Sequence, residues 1–230
     1  MSKVTAPLLS FGASGAIAKT QVYSSWKGRP YARRYVIPGN PRSNAQTLTR
    51  REFNYLQLLV KYGTPGMLAA LGAYADVLRI TTANAIQRAS LSRLRANKDV
   101  LPSELYDNTD LLLSPGARGA PGIPVAVITP STDTLTVAVD DIVLPTGWTG
   151  TPVVWAAATK VWTGADYTAV PDTATIVEGS DASPTMGAYS IALAGLDGGD
   201  DYVVNTWAVF TRPDGRLAYS LADVQVATPS

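Results

Sequence analysis

At 230 residues and a formal net charge of +1, the chain is long enough for one or two cored domains, and it contains neither cysteine nor histidine. That excludes disulfides, zinc–thiolate sites, cysteine nucleophiles and any mechanism that needs an imidazole. The near-neutral total hides a split: fifteen basic and three acidic residues precede Leu101, and four basic and fifteen acidic residues follow. Such segregation points to a basic surface meeting an acidic partner, the plainer reading being a solvated basic face. No apolar run reaches the roughly 18 residues of a membrane helix, so no membrane partner is expected.

The most distinctive stretch is Phe11–Pro41. Two alternating runs, Ile17–Trp26 and Tyr31–Ile37, flank Lys27-Gly28-Arg29-Pro30, which is a hairpin signal. In an extended second run Tyr31, Arg33, Tyr35 and Ile37 share one face. Pro38, Gly39 and Pro41 then force an extended exit. Gly12 and Gly15 around Ser14 do not make a phosphate loop. The flanking strand and helix are not evident, and no glycine precedes Lys19-Thr20.

Three helices are expected next. Ser43 and Gln46 form a capping box for a helix over Asn44–Tyr62. Leu48, Tyr55, Leu59 and Tyr62 make its apolar stripe, with Phe53, Leu56 and Val60 beside it. Gly63 closes that helix, and Thr64-Pro65 opens the second. Leu68, Leu71, Ala75 and Leu78 form the second stripe. Thr81 or Thr82 caps a third helix to about Asn97, with Arg88, Arg93, Arg95 and Lys98 crowding its C-terminal half. Lys98–Leu113 reads as irregular. Ser114–Pro124 alternates proline and glycine and reads as a linker.

Beyond it the texture changes to short strands with turn signals. Thr134–Val139, Val153–Ala156, Ala188–Leu193, Tyr202–Phe210 and Leu217–Val226 are strand candidates, the last two joined by Arg212-Pro213-Asp214-Gly215. The expected class is α+β: an N-terminal β-hairpin plus about three helices, then an immunoglobulin-like β-sandwich. The expected domains are a basic docking domain over 1–113, a linker over 114–124 and an acidic sandwich over 125–230.

Two resemblances sharpen this reading. Leu196-Asp197-Gly198-Gly199-Asp200-Asp201-Tyr202, followed by Val204, Thr206, Ala208 and Val209, resembles the E–F corner and F strand of fibronectin type III domains. The family's proline is replaced within Asp197–Gly199. The resemblance implies that Tyr202 is a structural residue bonded to backbone near Leu196–Gly199, and that Trp155 fills the core beside strand C. It covers about Ile123–Val226 and carries no function of its own.

The second resemblance lies in Ser14, Gly15, Ile17, Lys19, Thr20, Val22, Tyr23, Trp26, Lys27, Gly28, Tyr31, Arg33, Tyr35, Val36, Pro38, Asn40, Pro41 and Arg42. This pattern is similar to one in virion structural proteins of tailed bacteriophages and prophages, in which Gln46, Arg50 and Phe53 also recur and an immunoglobulin-like tail is common. Ala18 stands where that family often has glycine. The resemblance implies an accessory virion protein, on the capsid or in the head–tail region, or a tail component. Its partners would be acidic surfaces of other virion proteins and further copies of itself. Trp26, Arg29, Tyr31, Arg33, Arg34, Tyr35 and Arg42 are the candidate assembly residues.

The remaining chemistry is sparse. Asp140-Asp141 and Asp200-Asp201 are neighbours in sequence, and on a strand neighbours face opposite ways, so neither pair makes a catalytic dyad by spacing. Asp197, Asp200 and Asp201 fit a solvated turn better than a calcium loop, because the twelve-residue ligand pattern is missing. No catalytic residue, metal or cofactor is expected. Arginine interleaved with tyrosine over Tyr31–Tyr35 leaves nucleic acid as an alternative partner. A glycan- or receptor-binding adhesin that uses the sandwich is another.

Overall fold

A computed structural model describes residues 15–26, 29–37, 39–40, 42–94, 106–107, 109–117, 119–164, 171, 174–184 and 188–230. The protein divides into two compact units, Met1–Arg42 and Ser43–Ser230.

The described part of the first unit is a three-stranded antiparallel sheet of β1 (Gly15–Ile17), β2 (Gln21–Trp26) and β3 (Arg29–Arg34), in that order. The first expected run is therefore two strands. They are broken by a turn at Ala18 and Lys19, whose φ angles are 47° and 56°. Left-handed backbone costs an alanine more than a glycine. Trp26 pairs with Arg29, so only Lys27 and Gly28, outside the described residues, connect β2 to β3.

The second unit is α+β. Helices α1 (Asn44–Lys61), α2 (Pro65–Leu78) and α3 (Thr82–Leu94) precede the strands of two larger sheets. One sheet holds β5 (Pro115–Ala117), β8 (Val153–Lys160), β10 (Ile176–Asp181), β12 (Tyr202–Thr211), β13 (Leu217–Leu221) and β14 (Asp223–Ala227). Its order is β10-β8-β12-β13-β5, with β14 also on β12. The other sheet is β11-β7-β6, from Tyr189–Ala194, Thr134–Val139 and Val127–Ser131. One short pair, β4 (Tyr106–Asp107) with β9 (Thr163–Gly164), completes the set among the described residues. All these pairings are antiparallel.

Alternation along β8 and β12 explains how the layers stack. Val154, Ala156 and Ala158, with Tyr202, Val204, Ala208 and Phe210, join a core whose other wall is Leu135, Val137, Val139, Ile191 and Leu193. The intervening residues Ala157, Val203 and Trp207 join Tyr55, Leu56, Leu59, Met67, Leu71 and Ile86 of the helices. The larger sheet is thus covered on both faces, by helices on one side and by the smaller sheet on the other. Seven consecutive residues, Tyr202–Ala208, are buried for this reason.

The expected boundary at Ser114–Pro124 does not divide the protein. Ser114 is fully buried, Pro115–Ala117 form an edge strand on β13, and the helices share a core with the larger sheet. Leu111, Leu112 and Leu113, read from sequence as irregular, are buried in that core. Two polar side chains hold them. Ser90 of α3 donates to the Leu112 carbonyl (3.0 Å) and accepts from the Leu112 amide (3.3 Å). Asn205 of β12, with no exposure, accepts from the Leu113 amide (2.9 Å) and donates to the Leu111 carbonyl (3.0 Å). Buried backbone groups need such partners. The segment is a bolt between α3 and the sheet, and proline and glycine composition alone misidentified its continuation as a linker.

The helix starts follow local sequence with one exception, and α1 ends on a Tyr62 cap without left-handed backbone at Gly63. Ser43 Oγ accepts from the Gln46 amide (3.4 Å), and Thr81 Oγ1 from the Asn84 amide (3.3 Å). Thr64 makes no side-chain capping bond. Instead the Glu178 carboxylate of β10 accepts from the Gly66 (3.1 Å) and Met67 (2.8 Å) amides. A carboxylate at a helix N-terminus satisfies orphan donors and complements the dipole. Gly66 itself is dictated by packing: a Cβ there would stand 2.4 Å from the Trp155 ring. Tyr62 is exposed rather than on the apolar stripe. The expected end of α3 near Asn97 lies outside the described residues.

Candidate assembly surface

The seven candidate assembly residues all fall in the first unit. Cross-strand register sorts them onto faces, because directly opposed residues in an antiparallel pair point the same way. Val22 pairs with Arg33 and Ser24 with Tyr31, while Gln21 pairs with Arg34 and Tyr23 with Ala32. Tyr31 and Arg33 therefore share one face, and Arg34 lies on the other. A flat partner therefore takes Arg33 or Arg34, not both. The Trp26 and Arg29 side chains lie outside the described residues, though their backbones pair.

Tyr31 is 41% exposed, and Arg33, Arg34 and Arg42 are exposed. Tyr35 lies beyond the end of β3 and is half-buried, its amide donating to the Thr20 carbonyl (2.8 Å). Val36 and Ile37 follow at 70% and 76% exposure. Among the described residues of this unit none is buried. Residues 1–42 also carry seven basic and no acidic side chains. The sequence split at Leu101 concealed this concentration of single-sign charge.

The residues expected to be structural lie in the second unit. Tyr202 is buried, and its hydroxyl accepts from the Asp197 amide at 2.8 Å. Leu196, 3% exposed, packs in the same core between the sheets. Trp155 does not: it lies on the opposite face of β8 and packs towards the helices, against Gly66. The core between the sheets at β8 is instead filled by Val154, Ala156 and Ala158. The physical reason is the helical layer, which buries a face of β8 that would otherwise be solvated.

The carboxylates of the β11–β12 connection face a lysine. Lys160 at the end of β8 bridges Asp200 and reaches Asp197 at 3.4 Å. The Asp200 hydrogen bond is the main reason that the Lys160 pKa lies above its ordinary value, with Asp197 adding to it and desolvation opposing it. A cavity of about 330 Å³ lies beside this pair, lined by residues including Thr175, Val177, Leu196 and Tyr202. Among the described residues, no cluster of three acidic side chains has metal-holding geometry, and no helix is long and apolar enough to cross a membrane.

No family model and no curated protein matches this chain. A solved structure described as "Myokine structure" is similar over 48% of this chain and 100% of that one, at 17% identity and a TM-score of 0.31.

Proposed function

We propose that this chain is a non-enzymatic accessory structural protein of a tailed-bacteriophage particle. It docks through residues 15–42, on the capsid or head–tail region, and projects an immunoglobulin-like domain of fibronectin type III character. The observation that carries the docking reading is a sheet whose described side chains are all at least partly exposed, in a stretch with only basic charge. Ordering each backbone residue costs about 1–2 kcal/mol, and a small sheet without buried apolar area cannot offset that alone. A partner that covers Tyr31, Val36 and Ile37 and presents carboxylates to Arg33 supplies both missing terms. Arginine suits this role through its planar, bidentate fork.

The virion assignment itself rests on the N-terminal motif, Ser14 to Arg42. The fibronectin-like reading draws on strand order, with β6–β7–β11 in one sheet and β10–β8–β12–β13/β14 in the other, and on the Tyr202–Asp197 bond. Replacing Arg33, Arg34 and Arg42 by glutamate in the full chain should leave a folded protein that no longer incorporates into particles. The single variants Arg33→Glu and Arg34→Glu then identify the docking face. Normal incorporation of the folded triple variant would overturn the reading.

A second reading has its own observation. Tyr31 beside Arg33 on one exposed face suits base stacking with phosphate neutralisation. DNA binding by the full chain that weakens steeply with salt and is lost in Tyr31→Ala would favour it.

A further inference from the structure

Charge is segregated within the second unit as well, and this segregation bears on a partner. The exposed faces of α1 and α3 carry basic and no acidic side chains. Along α1, Gln46, Arg50, Asn54, Gln57 and Lys61 are exposed at spacings of three and four residues, and α3 exposes Arg88 and Arg93. Asp76 is the one exposed acid on the three described helices, since Glu52 is fully buried. At one end of the β-sheets the balance reverses. The β6–β7 turn carries Asp133, and its carbonyl accepts from the Gly195 and Leu196 amides (both 3.1 Å), which binds that turn to the β11–β12 connection with Asp197, Asp200 and Asp201. Lys160 is the one cation against these four carboxylates among the described residues of this end.

The two surfaces cannot meet within one copy. Both belong to the same folded unit, and the exposed helix faces are those turned away from the core that the helices share with β8 and β12. We propose that copies of this chain associate head to tail, the basic outer face of α1 and α3 in one copy against the Asp133–Asp201 end of the next. Such a contact is heterologous, so it either closes into a ring or continues as a filament. Charge complementarity sets partner and register here more than it sets affinity. The contact uses residues 43–230 only and stands independently of the docking assigned to residues 15–42.

The test is sedimentation velocity of the full chain over a range of concentrations. At low salt, where the screening length is about 30 Å, species larger than a monomer should grow with concentration; at about 1 M salt, where it is about 3 Å, the monomer should return. Arg88→Glu with Arg93→Glu removes one surface, and Asp197→Lys with Asp200→Lys removes the other. Each double variant, checked for fold by circular dichroism, should stay monomeric at low salt. Mixed one to one, they should associate again at low salt, because the intact basic face of one variant meets the intact acidic end of the other and the two charge-reversed surfaces are complementary as well. Should the lysine variant not fold, Asp197→Asn with Asp200→Asn serves in its place. A wild-type chain that stays monomeric at low salt would overturn the proposal. So would association indifferent to salt, or a mixture that remains monomeric.

Discussion

Replacing Asn205 by leucine should remove more stability than any other conservative change in the centre of the protein. The side chain is fully buried and makes two bonds to one segment, to the Leu113 amide and the Leu111 carbonyl. Leucine of similar size leaves both backbone groups without those partners, in residues that have no exposure themselves. Each orphaned group costs about 1–3 kcal/mol, hence about 2–6 kcal/mol together. The added apolar burial returns on the order of 1–2 kcal/mol. A net loss of about 3 kcal/mol is expected, which at a urea slope of ~3 kcal/mol/M lowers the midpoint by about 1 M. Helical circular dichroism and tryptophan fluorescence should shift together, because α3, the Leu111–Leu113 segment and β12 share one core. Ser90→Ala should cost less in the Asn205→Leu background than alone, since both residues hold the same segment. A loss below about 1 kcal/mol at unchanged slope, or separate transitions for the two probes, would refute the reasoning.

Three further outcomes follow from single contacts. Gly66→Ala should destabilise by about 1–2 kcal/mol, overpacking against Trp155 outweighing the gain in helix propensity, and Trp155→Leu should recover part of the loss in a double-mutant cycle by urea titration. Glu178→Ala should cost about 1–2 kcal/mol in the same titration by uncapping α2, with Glu178→Gln intermediate because it keeps one acceptor; no change for alanine would show the cap to be idle. Tyr202→Phe should cost about 1 kcal/mol by leaving the Asp197 amide without its acceptor, and a variant of unchanged midpoint would remove the hydroxyl from the account of that corner.

What was legible in the sequence was local. The Ser43 cap, the Pro65 helix start and the Thr134–Val139 strand each depend on residues within a few positions, and their boundaries hold in the structure to within a residue. The Tyr202 hydroxyl reaches only five residues back. The misread features are long-range. Glu178 caps a helix that begins more than a hundred residues earlier, and Asn205 binds a segment more than ninety residues away. Neither has a spacing that a reader of sequence could test. The fibronectin resemblance puts Trp155 between the sheets, whereas the helical layer buries the other face of β8 as well and Trp155 packs there. The Ser114–Pro124 composition is that of a linker, but Ser114 bonds through its hydroxyl to the Ser220 carbonyl (2.8 Å) and through its carbonyl to the Ala222 amide (2.9 Å). Those bonds stitch it to the break between β13 and β14.

Moving the boundary to Arg42 changes what the charge split means. Read at Leu101, the positive half of the chain included the helices, and docking was assigned to hairpin and helices together. The helices share their core with the larger sheet, so their cations belong to the same body as the carboxylates of the strand connections. In residues 43–230 twelve basic side chains stand against eighteen acidic ones, and opposite signs on one rigid body favour oriented contacts between copies over attraction to a uniformly acidic surface. Residues 1–42, with seven cations and no anion, are the part suited to such a surface. On the proposed docking role, partner carboxylates lower the repulsion among those cations while apolar contact covers Tyr31, Val36 and Ile37. Order in the sheet and attachment are then linked: the cost of holding the strands is drawn from the binding free energy. Such an arm binds less tightly per unit of area than a preformed surface but accommodates a larger one.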